Sequence, residues 1–279
     1  MKLANLDGRS TLLRDGLAVD VHRHSGGQLP ADPAAAFERW AELRSWADGL
    51  PAAGRPFDPA QLGPPSPRPR QVFALALNYP PHVAEAGYTP PEWPLVFTKF
   101  PTCVAGPVQE VTLPGDRVDW EAELVVVIGR RAERVSEEDA WNHVAGLTVG
   151  QDLSEREVQL RGQPAQFSLA KSYPGFGPTG PWLLTPDEFD DPDDLELTCE
   201  LNGELVQHAR TKEMIFSVPR TLALLSAVCP LLPGDLVFTG TPGGVGNRRT
   251  PPRYLTPADT LLTRVEGIGE IRQTFRSPP

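Results

Sequence analysis

A chain of 279 residues with 40% hydrophobic content is long enough for one large packed domain, or a large one with a small appendage, and too apolar for wholesale disorder. Its net charge of −10 argues against a nucleic-acid partner, and its three dispersed cysteines, Cys103, Cys199 and Cys229, argue against a disulfide scaffold or a structural zinc site. No window reaches the ~20 apolar residues of a membrane span and Met1–Asp7 lacks a signal peptide's apolar run, so the expectation is a cytoplasmic protein without a membrane partner.

Along the chain, Asp7-Gly8 and Asp15-Gly16 offer tight turns between short strands. Asp32-Pro33 opens a helix, Phe37, Trp40 and Leu43 form its buried face, and Gly49 ends it. Seven prolines between Pro51 and Pro69 predict a linker or extended wrap, which sets a small N-terminal domain plus linker at 1–70 apart from a main domain at 71–279. The main domain carries apolar runs of strand length at 72–77, 124–128, 144–149, 182–184, 195–201, 236–239 and 261–265. Helical patterns are fewer, around 136–143, where Ser136 would cap, and 217–228. The reading is mainly β, with few helices.

Several segments could carry chemistry. Alternation along Asp119-Trp120-Glu121-Ala122-Glu123-Leu124 puts Glu121 and Glu123 on one strand face, and two adjacent carboxylates call for a hard cation such as Mg2+, Mn2+ or Ca2+. Asp152, at the end of the run 144–149, could add a third oxygen, and Arg156 with Gln159 could meet a ligand carboxylate from one helical turn. In Asn78-Tyr79-Pro80-Pro81-His82-Val83-Ala84-Glu85, the prolines start a helix on which Glu85 could fix the His82 tautomer and make it a general base. Lys171, ahead of a Gly/Pro-rich loop, could stabilise a carboxylate or an enolate. The Gly-rich segment 239–246 lacks a Gly-Lys-Ser/Thr ending, so its amides would cradle a small anion rather than a nucleotide phosphate. Each signal has an ordinary alternative on local grounds: a solvated strand face for Glu121 and Glu123, a helix cap for Asp152, a surface pair for His82 and Glu85, an exposed side chain for Lys171.

Taken together, the segments resemble the fumarylacetoacetate hydrolase family. The resemblance rests on Asn78-Tyr79-x-x-His82-x-x-Glu85, Lys99-x-Pro101, Asp119-Trp120-Glu121-x-Glu123-Leu124, Gln151-Asp152-x-Ser154-x-Arg156, Lys171-Ser172, Gly180-Pro181-Trp182, Asn202-Gly203-Glu204, Pro233-Gly234-Asp235, Thr239-Gly240-Thr241-Pro242 and Gly267-Ile268-Gly269. It implies a mixed β-sandwich roll (an α+β fold) behind a small N-terminal domain, in a homodimer or higher homo-oligomer. It implies Mg2+ or Mn2+ on Glu121, Glu123 and Asp152, catalysis by His82, Glu85 and Lys171, and substrate contacts from Arg156, Gln159 and Thr241. Gln151 stands where relatives mostly have Asn, Ala258 replaces the usual Gly before Asp259, and Pro80-Pro81 stiffens the approach to His82.

The leading expectation is a hydrolase that cleaves a C–C bond in an acylpyruvate-like 1,3-diketo acid through a metal-stabilised enolate, with a small anionic 2-keto acid as substrate. A decarboxylase or tautomerase of oxaloacetate or a related 2-keto diacid is the alternative, and a non-catalytic ligand-binding or assembly protein is the alternative of another class.

Overall fold

The computed structural model describes residues 1–49 and 54–278. Three antiparallel strands open it, β1 (Lys2–Leu6), β2 (Arg9–Arg14) and β3 (Leu17–Asp20). Asp7 and Gly8 (φ 51° and 74°) and Asp15 and Gly16 (φ 49° and 76°) turn them in the left-handed conformation that a two-residue hairpin loop needs. Helix α1 (Pro33–Glu38), capped by the Asp32 side chain, is separated from α2 (Trp40–Asp48) at Arg39. The sequence predicts one helix here. Arg39 leaves the helical region (φ −119°), its guanidinium is bound to Glu42 and the Gln28 carbonyl, and Phe37 and Trp40 stack with centroids 5.6 Å apart. Of the proline-rich stretch 51–69, residues 51–53 lie outside the described residues. The rest has no regular secondary structure, apart from a 3-10 turn at Pro59–Gln61 and the two-residue strand Leu62–Gly63, which pairs with β1.

The remaining chain supplies β4 (Val72–Ala76), α3 (Pro80–Ala86), β5 (Leu95–Thr98), β6 (Val108–Thr112), β7 (Ala122–Ile128), β8 (Val144–Gln151), α4 (Arg156–Leu160), β9 (Gly177–Leu184), β10 (Glu196–Leu201), β11 (Glu204–Arg210), α5 (Val218–Val228), β12 (Leu236–Phe238), β13 (Thr260–Val265) and β14 (Gly269–Arg276). Each apolar run read as a strand lies in one of these or overruns it by a single residue. The helix expected at 136–143 shrinks to a 3-10 turn at Ala140–His143. The Ser136 hydroxyl does accept from the Asp139 amide (3.3 Å), but Val144 is already paired with Ile128, so the sheet takes the chain before a helix can grow.

An eleven-stranded sheet runs in the order β3-β2-β1-β9-β8-β7-β12-β4-β5, with Leu62–Gly63 and Val104–Ala105 attached to its side; a five-stranded sheet runs β11-β10-β13-β14-β6. Neighbours are antiparallel except β12 with β4 and β14 with β6, and Val104–Ala105 with β9. The sheet crosses the boundary expected at residue 70, since β1 pairs with β9 (Lys2 opposite Leu184, Leu3 opposite Leu183).

Strand β7 is buried on both faces, which explains its unbroken apolar run. Leu124, Val126 and Ile128 enter the core shared with Leu197, Leu261 and Ile271 of the second sheet, whereas Val125 and Val127 pack with Leu3, Phe37 and Leu43 of the N-terminal segment. Leu124→Ala would leave a cavity in the inter-sheet core and should destabilise the fold by about 2–5 kcal/mol, read as a lower midpoint in urea denaturation.

Candidate active site

At the start of β7 the face that carries Val125 and Val127 turns acidic. Trp120, Ala122 and Leu124 enter the inter-sheet core, so Glu121 and Glu123 project together to the other side. The antiparallel register then sets their third neighbour. Ala122 lies opposite Gln151 and Glu123 opposite Gly150, which brings Asp152 beside Glu121, and the Asp152 amide donates to the Glu121 carbonyl at 2.8 Å. A Cβ on Gly150 would stand 2.4 Å from Val125 Cγ2, so the position facing Glu123 takes no larger residue without a shift. One oxygen from each of Glu121, Glu123 and Asp152 lies within 4.8 Å of the other two, and all three side chains are buried.

Cations hold this cluster together. Lys171 Nζ donates to Glu121 Oε2 (2.6 Å) and Asp152 Oδ2 (2.7 Å). Lys99 Nζ donates to Asp152 Oδ1 (2.6 Å) and to the carbonyls of Lys171 and Phe176. Arg156 Nη2 donates to Glu121 Oε1 (2.7 Å), Nε to Asp119 Oδ1 (2.6 Å) and Nη1 to Gln159 Oε1 (2.8 Å). Burial alone would raise the Glu121 carboxyl, yet Lys171 and Arg156 outweigh it and hold it well below the usual carboxylate range. Burial also works against the Lys171 ammonium, and Asp152 and Glu121 overcome it, keeping the lysine charged. Glu123 differs: burial, reinforced by the charges of Asp152 and Glu121, pushes its carboxyl well above the ordinary value.

Three hard carboxylate donors at this spacing suit a divalent cation. Glu123 strengthens the fit. Its Oε2 accepts from the Gly240 amide (2.7 Å), but its Oε1 is buried without a hydrogen-bond partner, an arrangement that protein interiors rarely leave unexplained.

Helix α3 has Pro80 and Pro81 in its first turn and carries His82 and Glu85 on one face. His82 Nδ1 lies 2.7 Å from Glu85 Oε1, and Glu85 Oε2 accepts from the Gly244 amide at 2.8 Å. Two amides of the Gly-rich segment, those of Gly240 and Gly244, therefore serve Glu123 and Glu85, not the free anion that the sequence suggests. Asn78 ties the root of α3 to the same segment and to Phe216, with its amide nitrogen on the Thr239 and Phe216 carbonyls. Thr241 is also engaged within the protein, its hydroxyl donating to the Ala122 carbonyl (2.9 Å) and accepting from Gln207 (2.8 Å).

His82, Glu121, Arg156, Gln159, Lys171 and Thr241 line one cavity of about 260 Å3, whose remaining wall is largely apolar. Glu123 and Asp152 cluster with the lining residue Glu121, and Glu85 is joined to the cavity through His82, so the structure gathers the site residues singled out in the sequence around this cavity. Asp152 does not cap α4; Glu155 does, accepting from the Val158 amide at 2.6 Å. Gln151 receives the Glu121 amide on Oε1 and donates to Thr263 Oγ1, so the replacement of Asn acts on the backbone of a carboxylate residue. Sequence reasoning gave no role to Lys99, Asp119 or Gln207. Lys99 had a signal, a lone charge ending the apolar stretch Leu95–Phe97, whereas Gln207 offered none, because its link to the Ala122 amide (2.9 Å) joins strands of different sheets.

The model of the fumarylacetoacetate (FAA) hydrolase C-terminal domain matches residues 71–276. Human oxaloacetate tautomerase FAHD2A, mitochondrial, is 40% identical over 209 residues, 74% of this chain and 67% of its own. A crystal structure from Mycobacterium smegmatis superposes over the whole of both chains with a TM-score of 0.96 and 49% identity. Maleylpyruvate hydrolase from Sphingobium sp. SYK-6, crystallised with manganese(II) and pyruvate, does so with a TM-score of 0.81 and 28% identity.

Removing Arg156 would strand two buried carboxylates. Arg156→Ala should lower stability by about 3–5 kcal/mol near neutral pH, and the deficit should shrink in acid, where Glu121 takes up the proton that Arg156 otherwise keeps off. Denaturation midpoints of both proteins across pH test both the size and the sign.

Proposed function

The chain is an enzyme of the fumarylacetoacetate hydrolase family, and we propose that it interconverts the keto and enol forms of oxaloacetate or a closely similar 2-keto diacid. The observation that carries this reading is the oriented His82, which shares one cavity with the charged Lys171 and Arg156 above a buried carboxylate trio. Support for the substrate class comes from the relative named oxaloacetate tautomerase at 40% identity.

Glu85 engages Nδ1 of His82, which leaves Nε2 as the atom that takes the proton from the carbon next to the keto group and returns it there or to oxygen. Lys171 supplies a fixed positive charge where the enolate oxygen develops, and the carboxylates on either side of it keep it protonated throughout. Arg156 is anchored by Asp119 and Glu121, so it holds Gln159 in place and leaves the Gln159 amide nitrogen to orient the substrate. The apolar wall excludes water, which strengthens each of these interactions. Glu121, Glu123 and Asp152 would hold Mg2+ or Mn2+, and such an ion supplies Lewis-acid polarisation of the keto oxygen.

The second reading is hydrolytic C–C cleavage of an acylpyruvate-like acid, favoured by the likeness to a maleylpyruvate hydrolase crystallised with manganese and pyruvate. It needs the same enolate and also a water activated by His82. The order of the two readings reverses the one reached from the sequence, because the relative of higher identity carries the tautomerase name.

Enol-oxaloacetate decay followed by ultraviolet absorbance, beside pyruvate release from acetylpyruvate, separates the two. The proposal requires acceleration of the first in the presence of Mn2+, and pyruvate release alone would overturn it. His82→Gln should lower kcat about 100-fold or more, and Lys171→Ala should do likewise through the lost charge; unchanged turnover in either variant removes that residue from the mechanism. Because the Glu123 carboxyl is raised, Mn2+ should bind with proton release and more tightly as pH increases. Calorimetry in buffers of different ionisation enthalpy reads the released proton directly, and Glu123→Gln should abolish the binding.

A further inference from the structure

Two of the cations that line the cavity are paired with the protein's own carboxylates. Arg156 is bound to Asp119, Glu121 and Gln159, and Lys171 to Glu121 and Asp152. The third, Arg248, differs. Its side chain is exposed at the cavity's edge, and among the described residues no hydrogen bond or ion pair reaches its guanidinium. An arginine left unpaired in so acidic a chain is a group available to an incoming anion.

The turn beneath Arg248 is firmly fixed. Gly246–Arg248 forms a 3-10 turn whose Asn247 amide donates to Asp119 Oδ2 (2.7 Å), and Tyr254 donates to Asn247 Oδ1 (3.0 Å). Gly246 packs so closely that a Cβ there would stand 2.1 Å from the Arg253 carbonyl. Asp119 also holds Arg156, so a single carboxylate sets the position of Arg248's turn relative to the acidic trio. Much of the remaining cavity lining is apolar, including Leu77, Tyr88, Leu95 and Leu160, and beside it an unpaired carboxylate would lose hydration without compensation.

We propose that Arg248 is a specificity-determining residue that binds the second carboxylate of a 2-keto diacid whose keto-acid end lies over Glu121, Glu123 and Asp152. The assignment rests on the functional reading above for the placement of the keto-acid end and deepens it by naming the class preferred, dicarboxylates over monocarboxylates. No bond forms or breaks at Arg248; it acts by charge and hydrogen bonding alone.

The test compares 2-oxoglutarate with 2-oxopentanoate, five-carbon 2-keto acids that differ in a terminal carboxylate against a methyl group. Calorimetric titration in Mn2+ gives the affinity ratio for the native protein, Arg248→Gln and Arg248→Lys, at low and high salt. The native protein should prefer the diacid, and Arg248→Gln should reduce that preference about 10-fold, as expected for loss of one charge-assisted hydrogen bond. Arg248→Lys should restore part of it, and salt should weaken it in the native protein and in Arg248→Lys but not in Arg248→Gln, since the site is exposed. An equal ratio in native protein and Arg248→Gln overturns the assignment, as does binding of neither acid. A preserved ratio difference in a protein that fails to accelerate enol-oxaloacetate decay keeps Arg248's role and overturns the tautomerase reading alone.

Discussion

Confining several negative charges to a protein interior is the constraint around which this molecule is organised. Asp119, Glu121, Glu123 and Asp152 are all buried, and so are Lys99, Arg156 and Lys171, which face them. Removing a carboxylate from water carries a penalty of several kcal/mol, which mutual attraction offsets only where geometry is good and the remaining lone pairs are satisfied. Here the geometry is good for every oxygen of Glu121 and Asp152, each with a cationic donor at 2.6–2.7 Å. Glu123 is the exception, with one oxygen on a backbone amide and the other unpaired. Positive charge from the protein is therefore lacking at one carboxylate of the cluster, where a divalent cation would supply it.

Much of this arrangement was legible in the sequence, and the boundary of legibility has a physical cause. Period-two alternation placed Glu121 and Glu123 on one face, and the Pro80-Pro81 helix start placed His82 and Glu85 three residues apart on another. Both are local relations that a single element determines. The approach of Asp152 to Glu121 depends on the register of β7 against β8, and periodicity within one strand does not report register. Lys99 and Gln207 reach the site from β5's end and from the second sheet, so only the assembled fold reveals them. The resemblance of ordered motifs supplied the long-range information that composition and spacing lacked.

The same distinction accounts for the fold. The strand runs were readable because burial on one or both faces leaves a composition signature, and the Asp-Gly turns because few residue pairs accept two consecutive positive φ values. The helix expected at 136–143 was not formed, since pairing of Val144 with Ile128 prevailed over a local capping signal. The N-terminal residues read as a separate module because a proline-rich stretch follows them, yet β1 joins β9 edge to edge, and Phe37 and Leu43 cover the far side of β7. The strand that bears the carboxylates is thereby clamped from both sides.

The backbone of Glu121 and Ala122 is held by two side-chain amides, Gln151 on one peptide nitrogen and Gln207 on the next. Neither amide titrates. Acidification breaks the ion pairs of the carboxylates above, but these two hydrogen bonds to the backbone involve no group that gains or loses a proton over that range. Loss of activity in acid would then report the ion pairs of the cluster before it reports the strand backbone beneath them.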